Sequence, residues 1–313
     1  MTYKKHFLIL VSLIGALVLT YVISVIVTTY TGSEQSMYSW LDPKLAARTV
    51  KIVMSTDENE IELVKKSNQW FVLNNGVEYP ARQVRVEDFI NIFTARSSWP
   101  VRSSSASTHS RFDIDKGQAR VAIQGENATL LDILFGSDDI FRNETYLRRA
   151  GQNEVRSGSA AVKTYITGQV SSWYNLRLIP ETENGSLDVS SVQKLSVYTP
   201  QEIQIFTRKN RGWDIAGIHV ERPDYSSIEN YARAVLSIEG DNFDDTISAS
   251  DPMFDLISIM LELGNGRIVT IRLSAADESG RCYAHVAGKE YIYVIPTWMA
   301  NRLFRDASSF EMQ

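Results

Sequence analysis

The sequence has almost no cysteine: Cys282 is the only one among 313 residues. A single thiol cannot form a disulfide within the chain, nor can it supply the thiolates of a cysteine-based zinc site. The folded chain must therefore be stabilised by its buried apolar side chains. Basic residues are also fewer than acidic ones, 32 against 37, so the net charge is −5 at pH 7. This balance is unlike that of a nucleic-acid-binding protein, so we predict no nucleic-acid partner.

The common motifs of nucleotide binding and serine hydrolysis are absent. The sequence contains no Gly-x-x-x-x-Gly-Lys-[Ser/Thr], no Gly-x-Gly-x-x-Gly and no Gly-x-Ser-x-Gly. Ser107, His109 and Asp113 lie close together in sequence. A catalytic triad is assembled by the fold, however, so proximity along a loop does not predict one. We predict no catalytic residues, and an envelope hydrolase is the least favoured function class.

Residues with metal-binding side chains do not follow a known metal-site spacing. The four histidines are His6, His109, His219 and His285. None belongs to a full set of ligands with zinc-site spacing, so we interpret them as structural or solvated. Acidic clusters occur at residues 137–139 and 239–245, but neither follows the calcium-loop pattern. We interpret both as solvated turns and predict no metal and no cofactor.

One long run, residues 7–30, carries no charge. A helix of this length spans roughly 36 Å, enough to cross a hydrocarbon core of about 30 Å. Lys4 and Lys5 precede the run, and the next basic residue is Lys44, which predicts a cytoplasmic N-terminus. A cleaved signal peptide, the alternative, has a shorter apolar core. We therefore predict a single-pass membrane protein with residues 31–313 extracytoplasmic.

Periodicity after this run predicts alternating strands and helices. Residues 49–73 alternate in the manner of three short strands, and a helix is predicted from about Val84 to Ala95. Its apolar face comprises Val86, Phe89, Ile90 and Phe93. Residues 97–110 are rich in serine and predict a loop. The next predicted strands are Ala119–Gln124, Leu130–Phe135, Tyr146–Arg149 and Glu154–Arg156, followed by a helix that Ser159 caps.

The same landmarks then recur. Trp70 and Pro80 are matched by Trp213 and Pro223, in each case 143 residues later. A helix is predicted after each proline, and Ser226-Ser-Ile-Glu229 predicts a capping box for the second. Tyr146-Leu-Arg-Arg-Ala-Gly is likewise matched by Tyr283-Ala-His-Val-Ala-Gly. Such recurrence predicts two tandem copies of one unit.

The predicted fold class is α+β: an N-terminal transmembrane helix followed by two tandem mixed units, each a mostly antiparallel sheet with two helices. The predicted segments are the cytoplasmic tip and membrane helix (1–30), a juxtamembrane connector (31–48), the first repeat (49–178), a linker (179–189) and the second repeat (190–313). Trp40 in the connector is expected either at the membrane interface or packed at the edge of the first repeat.

The repeated pattern resembles a bacterial family of unknown function. A strand pair that closes on a Trp, a Pro, an amphipathic helix and strands ending in Tyr-x-x-x-Ala-Gly carry the resemblance over about residues 49–313. Members are membrane-anchored proteins, often encoded beside gliding-motility-type ABC transporters. The resemblance implies that the predicted anchor lies in the bacterial inner (cytoplasmic) membrane. It also implies an accessory subunit of an ABC-type export or envelope complex, and it supplies no catalytic residues.

We therefore expect a non-enzymatic, periplasmic protein-binding region whose partners are an ABC transporter permease or other envelope proteins. The alternative is an extracytoplasmic ligand-binding module with a site between the two repeats. Trp70 and Trp213 could anchor a partner. Their matched positions favour a core role within each unit instead.

Overall fold

The computed structural model describes residues 13–24, 37–179, 187–210 and 212–312. The chain divides into two units, Met1–Tyr174 and Asn175–Gln313. We take each unit by itself.

The first unit consists mainly of short strands joined by tight turns. Its described strands are β1 (Met37–Tyr38), β2 (Lys51–Thr56), β3 (Glu60–Lys66), β4 (Gln69–Asn74), β5 (Val77–Pro80), β6 (Ser97–Ser98), β7 (Val101–Ser103), β8 (Ala119–Gln124), β9 (Thr129–Asp139), β10 (Glu144–Arg149) and β11 (Val155–Ser159). Within the described residues, β1 and β6 form a small sheet, and the other nine form an antiparallel sheet in the order β5-β4-β3-β2-β8-β9-β10-β11-β7.

The described helices of the first unit are short, and α3 among them contributes to its core. They are α1 (residues 13–24), α2 (Pro43–Ala46) and α3 (Gln83–Thr94), with 3₁₀ helices at Ala106–Phe112, Ala160–Tyr165 and Val170–Trp173. On α3, Val86, Phe89 and Phe93 are fully buried, as their spacing predicts. The Phe89 ring packs edge-on against Trp173 at 5.6 Å between centroids.

The second unit has the same character. Its described strands are β12 (Val192–Tyr198), β13 (Ile203–Lys209), β14 (Gly212–Ala216), β15 (Asn242–Asp244), β16 (Ile257–Leu263), β17 (Ile268–Leu273), β18 (Cys282–Val286) and β19 (Ile292–Ile295). In the described part of this unit they form one antiparallel sheet in the order β14-β13-β12-β16-β17-β18-β19-β15. Its helices are α4 (Tyr225–Leu236) and α5 (Thr297–Leu303), with 3₁₀ helices at Val189–Ser191, Pro252–Phe254 and Ala307–Phe310.

The core of the second unit lies between the sheet and α4. Ile228, Tyr231, Ala232 and Val235 of α4 are fully buried. The Tyr231 ring lies 6.2 Å from that of Phe206 on β13, and its hydroxyl donates to the Leu303 carbonyl oxygen at 2.6 Å. Burial raises the pKa of Tyr231, so the hydroxyl stays protonated and remains a donor.

The two large sheets share one strand order. Among the described strands, β4-β3-β2-β8-β9-β10-β11-β7 of the first unit matches β14-β13-β12-β16-β17-β18-β19-β15 of the second, position by position. In both units, three strands joined in sequence (β2–β4 and β12–β14) come before the long helix, α3 or α4. An edge strand (β7 or β15) and four further strands come after it. The first sheet carries one additional strand, β5, beyond β4.

The predicted α+β class is wrong. The described residues form three antiparallel sheets with few helices. The helix expected after Ser159 is instead the two short 3₁₀ helices Ala160–Tyr165 and Val170–Trp173. Ser159 does cap the first, because its hydroxyl accepts from the Ala161 N–H at 3.3 Å. Gly168 falls between them, and glycine interrupts helices because it loses most backbone entropy on ordering.

The predicted transmembrane helix is contradicted as well. Of the predicted span, residues 7–12 and 25–30 lie outside the described residues, and 13–24 are helical. Among the described residues, no helix combines the length and apolarity needed to cross a membrane. This finding overturns the predicted anchor and the single-pass inner-membrane location that was inferred from it.

The predicted connector and linker are described in part. Residues 31–36 and 180–186 lie outside the described residues. Trp40, in the described part of the connector, is only 3% exposed. Its ring lies 5.2 Å from that of Tyr38 and 5.6 Å from that of Trp99, both edge-on. Trp40 is thus packed within the first unit, which was one of its two expected positions.

Candidate functional site

The fold does not assemble the sequence trio Ser107, His109 and Asp113 into a triad. His109 is buried in a 3₁₀ helix, and its Nε2 lies 2.9 Å from the Asn153 carbonyl oxygen. Ser107 shares a hydrogen bond with the Ser105 hydroxyl instead. Asp113 ends the helix in a left-handed conformation with φ 52°. Each residue therefore has a local structural role.

The other described histidines are separated in the same way. His285 on β18 is 5% exposed and lies between two fixed partners. The Arg272 guanidinium donates to its Nδ1 at 2.8 Å, and its Nε2 lies 2.9 Å from the Lys289 carbonyl oxygen. Because a guanidinium only donates, this geometry requires a neutral ring with its proton on Nε2. His219 is exposed in the segment after β14, and His6 lies outside the described residues.

The two acidic clusters have partners within the protein. Asp138 forms an ion pair with Lys163 at 2.8 Å, and Glu239 forms one with Arg177 at 2.9 Å. Asp244 accepts hydrogen bonds from the Thr246 N–H and hydroxyl. In the described part of the chain, no group of three or more His, Cys, Asp or Glu side chains could hold a metal ion.

The two matched tryptophans belong to the cores, as predicted. Trp70 is 3% exposed and Trp213 is 5% exposed. The Trp213 indole N–H donates to Glu229 at 3.1 Å, and the Arg208 guanidinium lies over its ring at 4.3 Å. Arg208 also forms an ion pair with Glu229 at 3.0 Å. The predicted capping box is therefore wrong, because Glu229 faces this cluster and Asp224 caps the helix.

Beside α5 the second unit has a groove of about 700 Å³ that the sequence did not predict. Val197, Ile257 and Phe304 form part of its apolar lining. Cys282 also lines it, and burial raises the pKa of that thiol, so the thiol is protonated and not a nucleophile at neutral pH. The groove therefore suits non-covalent binding of a small molecule.

The second feature that the sequence did not predict is the tip of the β9–β10 hairpin. Ile140 is 88% exposed, and Phe141 is fully exposed. The turn that carries them is fixed, because the Asp139 carboxylate accepts from the N–H groups of Phe141 at 3.1 Å and Arg142 at 3.3 Å. Asn143 completes the turn in a left-handed conformation with φ 52°. Two large apolar side chains thus project from a preorganised turn, which we call the hairpin tip.

The chain matches a known protein family. A family model described as a domain of unknown function, DUF4340, matches residues 70–252, which is more than half of the chain. The chain belongs to the DUF4340 family. No curated protein matches it.

The DUF4340 match begins at Trp70 on β4 and runs into the second unit. It contains the hairpin tip and β14, whereas the groove beside α5 is lined mostly by residues beyond 252. The tip had a signal in the sequence: Ile140-Phe141 interrupts an otherwise polar turn, Ser137-Asp138-Asp139 and Arg142-Asn143. Apolar residues in such a turn cannot face a core, so they mark a candidate contact.

Proposed function

We propose that this DUF4340 protein is a non-catalytic binding protein, an accessory subunit of an ABC-type transport or envelope complex. The family resemblance, to proteins often encoded beside gliding-motility-type ABC transporters, supports the choice of partner. The shared strand order of the two sheets supports an origin as tandem copies. In this proposal the hairpin tip makes the contact.

The exposure of Ile140 and Phe141 is the observation that carries the proposal. Leaving a large apolar side chain in water forgoes about 1.5–3 kcal/mol of burial free energy, which a protein contact recovers. Phenylalanine is enriched at protein interfaces for this reason. Since the Asp139 carboxylate already fixes the turn, binding needs little further loss of backbone entropy.

The test is co-purification of the tagged full-length protein after cross-linking in cells, with quantitative mass spectrometry. The variant Ile140→Ser/Phe141→Ser removes the apolar tip and leaves the Asp139 contacts to the backbone. We expect wild-type protein to recover ABC permease and ATPase subunits in near-stoichiometric amounts, and the variant to recover at least about tenfold less.

A matched control replaces two exposed apolar residues elsewhere, Leu256→Ser/Ile268→Ser, which are 63% and 59% exposed. This control should retain the partners. Recovery of the same subunits by both double variants would show that the tip is not the contact. A wild-type protein that purifies alone after cross-linking would overturn the accessory-subunit proposal itself.

The groove beside α5 favours a second candidate function, a ligand-binding module. Its volume of about 700 Å³ falls in the usual range for small-molecule sites. A ligand screen read by thermal unfolding decides between the two candidates. A binder whose stabilisation is lost in Phe304→Asp, but retained in Ile140→Ser/Phe141→Ser, would support this second function.

A further inference from the structure

The second sheet ends differently from the first at its matching edge. In the first unit β4 lies between β3 and β5. In the described part of the second unit, the equivalent strand β14 pairs with β13 alone. An edge strand presents unpaired main-chain N–H and C=O groups, which form a template for another strand.

A two-residue turn produces β5 in the first unit. Asn75 and Gly76 both have positive φ, 50° and 80°, and Asn74 pairs with Val77 directly across them. Asn-Gly favours this type of turn, because asparagine and glycine adopt positive φ at little cost. The turn sends Val77–Pro80 back along β4 and covers its edge.

The second unit lacks that turn chemistry. At the constant offset of 143 residues, Ile218 and His219 replace Asn75 and Gly76. A β-branched isoleucine strongly disfavours positive φ, so the chain cannot reverse there. The segment runs instead to the C-terminal residues, where Pro223 bridges to Glu311 and the Arg222 carbonyl oxygen accepts from the Met312 N–H at 2.9 Å.

The register between β13 and β14 shows which main-chain N–H and C=O groups of β14 point away from β13. Gly212 closes the β13–β14 hairpin opposite Lys209. Along an antiparallel strand, residues alternate between bonding to one neighbour and pointing to the other side. Trp213 and Ile215 therefore direct their N–H and C=O groups away from β13.

The first unit shows how such groups are satisfied. There the Trp70 N–H donates to the Gln83 side chain at 2.9 Å, and its carbonyl oxygen accepts from the Ala81 N–H at 3.0 Å. Tyr79 of β5 lies opposite Val72 and is 3% exposed. At the position of Gln83 the second unit has Ser226, whose side chain is too short for the same contact.

We propose that the edge of β14 binds an extended segment of a partner protein as an added antiparallel strand. This deepens the proposed binding function by naming a partner segment. In the added strand, the residue opposite Ile215 lies on the same face of the sheet as Trp213. The corresponding residue of the first unit is Tyr79, which is buried, so the partner's residue at this position is apolar or aromatic. Its neighbour opposite the exposed Asp214 is basic, because opposite charges stabilise a cross-strand pair.

The same carboxylate argues against a second copy of this chain as the occupant. If β14 paired with itself through Trp213 and Ile215, the two-fold axis would pass beside Asp214. The two Asp214 carboxylates would then face each other in the closer type of cross-strand pair. Like charges directly opposite are destabilising.

The test uses the full-length chain and a blocked six-residue peptide of alternating valine and lysine. Two controls are a peptide with glutamate in place of lysine, and one with three valines followed by three lysines. We expect the alternating valine–lysine peptide to bind at least about fivefold more tightly than either control. Hydrogen exchange followed by mass spectrometry should show slower exchange in the segment containing residues 212–216.

Two variants sharpen the result. Asp214→Lys should reverse the preference, so that the glutamate peptide binds more tightly than the lysine peptide. Ile215→Pro removes one outward N–H, which an edge strand tolerates, and should weaken binding of both peptides at least about tenfold. If Ile215→Pro does not fold, the Asp214→Lys reversal decides alone.

Equal binding of the two alternating peptides, or protection outside residues 212–216, would overturn the proposal. So would a wild-type dimer that Ile215→Pro converts to a monomer, because the occupant would then be a second copy. Co-purification through the hairpin tip is independent of these measurements. The edge proposal and the accessory-subunit proposal can therefore fail separately.

Discussion

Gly158 on β11 lies directly against the indole of Trp99. A Cβ at this position would be 2.0 Å from Cζ3 and 2.3 Å from Cε3 of that ring. Trp99 cannot easily move, because it is 4% exposed and packs edge-on against Trp40. We expect Gly158→Ala to destabilise the protein by about 1–3 kcal/mol through overpacking, measured as a lower urea midpoint at unchanged slope.

The control for this substitution is Gly264→Ala. A Cβ at Gly264 meets its nearest neighbour, the Gln193 side-chain nitrogen, at an ordinary 3.4 Å. Its free energy of unfolding should stay within about 0.5 kcal/mol of that of the wild type. Equal midpoints for the two alanine variants would show that the Trp99 ring relaxes away from the added methyl.

Sequence patterns identify core residues when those residues are apolar and periodic, and miss them otherwise. Trp70 and Trp213 follow such a pattern and are buried as predicted. Arg85 does not: its guanidinium carbon lies 4.7 Å from the Tyr165 ring and 4.8 Å from the Trp173 ring. Burial lowers the pKa of Arg85, yet a guanidinium remains charged. Periodicity assigns a charged residue to the solvent face, so it cannot predict a cation held between rings.

At the scale of the element, the start of α4 depends on the ionisation of Asp224. Its carboxylate accepts from the Ser226 N–H at 2.9 Å and the Ser227 hydroxyl at 2.7 Å. The pKa of Asp224 lies below its usual value of 3.8, and the largest cause is the hydrogen bond from the Ser227 hydroxyl. A lowered pKa means that the stabilisation is fully present above about pH 5 and is lost as the pH falls through the folded-state value.

We therefore expect Asp224→Ala to lower the unfolding temperature clearly at about pH 6 and much less at about pH 2. Asp224→Asn is the matched control, because its amide oxygen can still accept the capping hydrogen bonds without a charge. Its unfolding temperature should lie between those of wild type and Asp224→Ala at about pH 6. A deficit of Asp224→Ala that is equally large at both pH values would contradict the ionisation argument.

Element types were predicted where side-chain spacing decides them, as on α3 and α4. Of the predicted α3 face, Val86, Phe89 and Phe93 are buried and Ile90 is half-buried, and α4 follows Pro223 as predicted. The helix after Ser159 was predicted from the same kind of spacing but forms 3₁₀ turns, because Thr164, Thr167 and Gly168 are poor helix formers. Strand β5 was missed although Asn75-Gly76 signals it, because its four residues are too few to show alternation.

At the scale of the whole molecule, the offset of 143 residues between Trp70 and Trp213 has a direct structural counterpart. These residues occupy equivalent strands, β4 and β14, in two sheets of matching order. Landmark residues can reveal such recurrence because they mark strand ends and turns. They do not reveal strand pairing over long sequence distances, which is why β7 and β15 at the far edges, and the β-rich class itself, were not predicted.

The shared topology also bears on where the second unit begins. The predicted second repeat starts at residue 190, but residues 175–179 already contribute to this unit. The Leu178 N–H donates to the Ile238 carbonyl oxygen at 3.2 Å, and the Leu176 carbonyl oxygen accepts from the Gly240 N–H at 2.8 Å. Leu178 and Ile179 are 0% and 3% exposed.

We predict that a fragment of residues 175–313 folds by itself, because its sheet and the core beneath α4 are formed from its own residues. A fragment of residues 190–313 lacks Leu178 and Ile179. Each fully buried side chain of this size contributes about 1.5–3 kcal/mol, so the shorter fragment should be several kcal/mol less stable. Urea unfolding followed by circular dichroism makes the comparison. Equal midpoints would mean that residues 175–179 cover a core that is already complete without them. A longer fragment without a cooperative transition would show that the second unit requires the first.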